Sequence, residues 1–108
     1  MSSNLNDLVG GATTHLPLSK GIDLRTLKAG TQLGLALQIS REALQARQTQ
    51  QVLERRFEQP LMYERCFVFS NHEDALVLWH SVEAVGMPPE KILSRLLSLA
   101  GLDALDRS

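Results

Sequence analysis

Residues 23–57 run without a proline, and no other feature narrows the folds open to this chain as much. A proline-free stretch of that length permits one continuous helix, which an interior proline would break. Asp23 supplies a carboxylate that can accept the unpaired amides of a first turn. Gly30 and Gly34 are the weak points, each costing about 1 kcal/mol relative to alanine inside a helix. At 100° per residue Leu35, Ile39, Ala43, Ala46, Gln50, Leu53 and Phe57 fall on one face at spacings of four or three. Leu33, Leu37 and Leu44 fall nearly opposite. A helix apolar on two sides needs cover on two sides. A chain of 108 residues has little material for that, so a second copy is expected to supply part of it. The Gly30–Gly34 spacing allows either close approach of two helices or a local bend.

Pro60 stops this helix. The segment PLMYERCFVFS that follows reads as extended, because Tyr63, Phe67, Val68 and Phe69 favour strands. A lone strand leaves its backbone groups unpaired. Glu64-Arg65 lacks the Gly or Asn of a tight hairpin, so the expected partner is the same strand of a second copy, antiparallel about a two-fold axis. Residues 51–57 are an alternative partner at the expense of the helix end, and an irregular packed connection is the other. Asn71 and Asp74 resemble a capping box, opening a helix with an apolar stripe of Ala75, Leu78, Trp79 and Val82 that ends at Gly86. Pro88-Pro89 opens the next, and Gly101 closes it. Residues 1–20, with Gly10-Gly11, Pro17 and no sustained periodicity, read as a flexible N-terminal arm. The expected fold is therefore mostly α. It comprises one long helix over about 23–57, a short β segment over about 61–69 and two C-terminal helices over about 72–86 and 89–100, in a single helical domain from 21 to 108.

The segment TQLGLALQISREALQAR, residues 31–47, admits a second reading. Leu33, Leu37, Ile39 and Leu44 fill four apolar positions of a helix–turn–helix, Gly34 is its small residue, and Ser40 can cap a second helix. Over residues 31–50 the chain resembles the helix–turn–helix class of bacterial regulators. That resemblance implies DNA contact through Arg41, Gln45, Arg47 and Gln48. Against it stand Gln38 at the turn position usually held by glycine, and Arg47 at a position that should be apolar. The apolar stripe also runs through the supposed turn without changing phase.

Apolar residues make up 44% and aromatics 5%, which is globular composition with an aliphatic core. A net charge of −1 provides no general attraction to nucleic acid or anionic membrane. No apolar run approaches a membrane span, and the N-terminus does not read as a secretory signal. The single cysteine, Cys66, excludes a disulfide within the chain and fits a reducing compartment. The Leu-, Gln- and Arg-rich style is that of a bacterial cytoplasmic protein. Cys66, His72 and His80 lack the spacing of a zinc motif, and no phosphate loop or nucleophile elbow is present. Neither enzyme chemistry, nor a cofactor, nor a metal is expected. In size and general character the chain resembles small bacterial antiactivators that sequester transcription factors. That resemblance implies a homodimer that occludes a target regulator by protein–protein binding. The residues expected to carry the interface are Leu35, Ile39, Leu53, Phe57, Tyr63 and Phe67. A DNA-binding repressor is the first alternative, and a secretion or phage accessory chaperone the second.

Overall fold

A computed structural model describes residues 5–11, 15–82 and 87–105. Along the chain come helix α1 (Leu5–Val9), strands β1 (His15–Ser19), β2 (Ile22–Ala29) and β3 (Gln32–Ile39), then helix α2 (Gln48–Glu58). Strands β4 (Cys66–Ser70) and β5 (Leu76–Ser81) and helix α3 (Pro89–Ala100) complete it, with single 3-10 turns at Arg41–Ala43 and Asp103–Leu105. The strands form one antiparallel sheet in the order β1-β2-β3-β5-β4.

The fold is thus an α+β sheet, not the mostly α domain expected from periodicity. The proposed long helix over 23–57 is resolved into a β-hairpin, a turn and α2. The reason lies in an ambiguity of spacing. Leu33, Leu35, Leu37 and Ile39 alternate with a period of two, and alternation places all four on one face of a strand. The pair Leu35 and Ile39 satisfies the helical spacing of four as well, so it does not discriminate. Gly30, read as a weak point of a helix, takes φ +64° in the two-residue turn between Ala29 and Gln32, where a hairpin needs that conformation. Arg47 has φ 67°, a left-handed geometry that no continuous helix contains. Of the expected helix only residues 48–57 are α-helical, within α2. The helix–turn–helix reading of 31–50 falls with it, because its first helix is β3.

The helix expected over 72–86 is β5 in its described central part. Asn71 does use its side chain on the backbone, as the capping reading required, but in a turn. Its Oδ1 accepts from the amides of Glu73 at 2.9 Å and Ala75 at 3.1 Å. Caps and such turns draw on the same hydrogen bond. The strand expected over 61–69 begins only at Cys66, and its partner is intramolecular: Cys66 lies opposite His80 and Val68 opposite Leu78. Residues 5–9 and 15–19, expected within a flexible arm, are α1 and β1; Leu5 and Leu8 are buried. Glu83, Ala84, Val85 and Gly86, at the end of the expected helix, lie outside the described residues.

Sequence alternation assigns the two sheet faces. Leu24, Leu35, Leu37, Ile39, Cys66, Leu76 and Leu78 face the helices and pack on Ile92, Leu96, Leu97 and Leu99 of α3, with Val52 of α2 and Leu8 of α1. Pro88-Pro89 starts α3, and Gly101, at φ +76°, ends it. Side chains of α2 then satisfy the free carbonyls at that end. Arg55 donates to Leu99 O at 2.8 Å and Gln48 to Ala100 O at 3.2 Å. A cation at a helix C-terminus complements the dipole as well as the hydrogen bonding.

The opposite face carries no helix among the described residues. Its own small cluster is Ala36, Val77 and Trp79. The indole of Trp79 lies flat across Gly34, where any Cβ would overlap the ring, and its Nε1 donates to Leu27 O at 2.8 Å. Phe67 leans on it at a centroid distance of 5.6 Å.

Candidate functional site: an apolar surface around strand β4

The exposed apolar side chains are concentrated in one stretch of sequence. Among the described residues, Leu53, Phe57, Leu61, Met62, Phe67 and Phe69 are large, apolar and exposed. All fall between positions 53 and 69, on the outer side of α2, the connection after it, and β4. Phe57 is 85% exposed and Leu61 84%. Leu27 on β2 is exposed at 39%. Large apolar side chains scattered singly on a surface need no explanation, whereas a contiguous patch marks an interaction site. Here Leu53, Phe57, Leu61 and Met62 flank β4 on α2 and the connection after it, and Phe67 and Phe69 stand on the helix-free face of β4.

Local structure explains why these side chains face outward. On α2, Gln48, Val52 and Arg55 point at α3, so Leu53 and Phe57 stand on another face. Arg56 donates to Cys66 O at 2.7 Å and ties the last turn of α2 to the start of β4. Tyr63 turns inward, 1% exposed, with its hydroxyl 3.2 Å from Ser98 Oγ. That anchor leaves Leu61 and Met62 outside. Within β4, alternation sends Cys66 and Val68 to the core and Phe67 and Phe69 to the helix-free face.

β4 is also an edge of the sheet. The bond from Asn71 N to Ala75 O sets the phase of its ladder with β5. In an antiparallel ladder alternate residues turn their backbone groups the other way, so those of Cys66, Val68 and Ser70 point outward. Cys66 is occupied by Tyr63 O and Arg56. Among the described residues, Val68 and Ser70 present the free edge.

The residues expected to form the interface divide. Leu53, Phe57 and Phe67 are on this surface. Leu35, Ile39 and Tyr63 are buried in the core and take no part in it. Of the residues considered for DNA contact, Arg41, Gln45 and Arg47 are exposed in the connection between β3 and α2. Gln48 is buried, accepting from Gln45 N at 3.0 Å. Sequence reasoning does not single out Leu61, Met62 and Phe69 as surface residues. Their only signal is apolar character in a short segment just after a proline, which does not say which side faces water.

Cys66 and His80 face each other across β4 and β5, while His72 is exposed in the turn between these strands. Among the described residues no group of three His, Cys, Asp or Glu is placed to hold a metal ion. Burial pushes the Cys66 thiol up to about 11, against the pull of Arg95 and Arg56. The thiolate is the reactive form. At pH 8, native Cys66 is therefore expected to react with a disulfide reagent about a hundredfold more slowly than the urea-unfolded chain. Equal rates would contradict this burial. On the helix-free face Asp23 and Arg25 pair at 2.8 Å, and Arg41 and Asp74 form an exposed pair at 3.9 Å. No helix of the described residues is long and apolar enough to cross a membrane.

The sequence matches the model of the HrpV-like family over residues 8–105, and the chain belongs to that family, a regulatory family related to type III secretion. The match spans every strand as well as α2 and α3. No curated protein and no solved structure matches the chain.

Proposed function

We propose that this HrpV-like protein is a non-enzymatic accessory protein of type III secretion that acts in the cytoplasm by holding another polypeptide in a chaperone-like way. The observation that supports this reading is the apolar surface around β4, with Phe57 and Leu61 almost fully in water. Keeping such side chains exposed has no folding benefit, whereas their burial by a partner contributes about 25 cal/mol per Å² of apolar area. Phe and Leu projecting from one helix and the connection after it suit an extended or helical apolar segment. If the bound polypeptide is a transcription regulator, the same surface acts as an antiactivator by covering it.

A photo-crosslinking residue at position 57, introduced in the source cell, tests the proposal. The expected result is one dominant crosslinked polypeptide, identified by mass spectrometry, that disappears when Leu61→Asp is added. Phe57→Asp and Leu61→Asp together should leave the far-ultraviolet circular dichroism unchanged, since neither side chain is in the core. Partner capture that survives both substitutions would overturn the assignment.

Self-association is a second reading, favoured by the free edge at Val68 and Ser70. Two β4 strands paired about a two-fold axis at Val68 bring Phe67 of each opposite Phe69 of the other, an aromatic cross-strand pair on the helix-free face. Light-scattering mass separates the readings: a dimer that Val68→Pro reduces to a folded monomer is the outcome expected of edge pairing.

A further inference from the structure

His80 is a polar side chain in the wrong company. It sits on β5 with its ring toward the helices, between Leu35 of β3 and Cys66 of β4, and is fully buried. Its Nδ1 is 2.8 Å from the carbonyl oxygen of Ser81, and a short contact to a carbonyl requires the proton on Nδ1. Nε2 is then an acceptor, buried and without a hydrogen-bond partner among the described residues. The charged groups that act on the ring are the guanidiniums of Arg95 on α3 and Arg65 before β4. Cys66, facing it across β4, stays a neutral thiol. The ion pairs Asp23–Arg25 and Arg41–Asp74 do not involve the ring. A second proton would thus meet two cations, a neutral thiol and a desolvated site.

We propose that His80 is a proton-sensitive latch in the core, which fits between Leu35 of β3 and Cys66 of β4 while its ring is neutral and destabilises the fold when acidification charges it. The direction of its titration agrees: burial first, and the two arginines after it, hold His80 below its ordinary value of 6.5, against the opposing effect of the Ser81 carbonyl. The unfolded chain therefore takes up the proton first as pH falls. The stabilisation from neutral His80 is complete above pH 6.5 and is lost as pH falls through the lowered native value. Within that window each pH unit multiplies the unfolding equilibrium constant by about ten.

Urea unfolding of the full chain at pH 7.5 and pH 5.0 tests the latch. Between pH 7.5 and 5.0 the wild type should show up to about a 30-fold rise in the unfolding constant beyond that of His80→Gln and His80→Leu. His72→Gln should retain the wild-type dependence. Identical pH dependence in wild type and both His80 variants would overturn the proposal. Where these variants fail to fold, the imidazole proton resonances of the wild type decide it. The latch requires the His80 signal of the folded protein to titrate with a midpoint below 6.5. Titration of that signal in the folded protein with a midpoint near 6.5 would overturn it.

Discussion

Trp79→Ala is expected to lower the free energy of unfolding by about 3–5 kcal/mol, the range for deleting a large buried aromatic. The indole is 2% exposed although the face of the sheet it occupies has no helix on it among the described residues. It is shielded instead by its own geometry, lying across Gly34, bonded to Leu27 O and flanked by Phe67. Removing it uncovers Ala36 and Val77 and leaves the Gly34 backbone without its roof. Gly34→Val addresses the same contact from below, since the new side chain would occupy the volume of the ring. Overpacking of that kind costs about 1–3 kcal/mol. Both are measured by urea titration followed by circular dichroism, because Trp79 is the only tryptophan. A loss below about 1 kcal/mol for Trp79→Ala would mean that the indole does not hold this face together.

The second large effect is expected on the other side of the sheet. Leu78→Ala should cost about 3–5 kcal/mol, as for leucines deleted from a well-packed core. Leu78 is fully buried beneath the helices, opposite Leu37 on β3 and Val68 on β4. It therefore joins three strands to the core cluster containing Leu96 and Leu97. Against a typical domain stability of about 5–15 kcal/mol, either loss is a substantial fraction. The two substitutions should differ in their effect on β4. Trp79→Ala removes the partner of Phe67 and disturbs the exposed apolar surface directly, whereas Leu78→Ala acts on it only through Val68. Capture of a partner by the Trp79→Ala protein should weaken at temperatures where the protein is still folded. Capture by Leu78→Ala should fail only as the domain unfolds, which a melting curve recorded in parallel would show.

The candidate surface is partly readable without the fold. Phe57, Leu53 and Phe67 stand out by type, since aromatic and large apolar groups dominate interface energetics, and all three are exposed. Leu35, Ile39 and Tyr63 are of the same types and are buried, so residue type alone does not separate surface from core. Tyr63 turns inward for its contact with Ser98, thirty-five residues later, and nothing near Tyr63 in the chain announces it.

The sequence by itself determined the features that depend on neighbouring residues. Pro88, Pro89 and Gly101 set both ends of α3, because a proline tolerates only the first turn and a glycine accepts a left-handed φ. Pro60 and the apolar run at 66–69 likewise marked the end of α2 and the extended character of β4. Tertiary structure decided residues 22–39 and 71–81. In the first, the leucines at 33, 35 and 37 and the isoleucine at 39 fit a strand, while subsets of them fit a helix. In the second, the buried run of β5 carries apolar residues toward both faces and so lacks the alternation of a half-exposed strand. What resolves both is their mutual pairing, Leu37 opposite Leu78 and Ile39 opposite Leu76. A strand satisfies its backbone only through its partners; β3 has one in β2 across the Gly30 turn, but its other partner, β5, lies about forty residues further along the chain, out of reach of any local pattern.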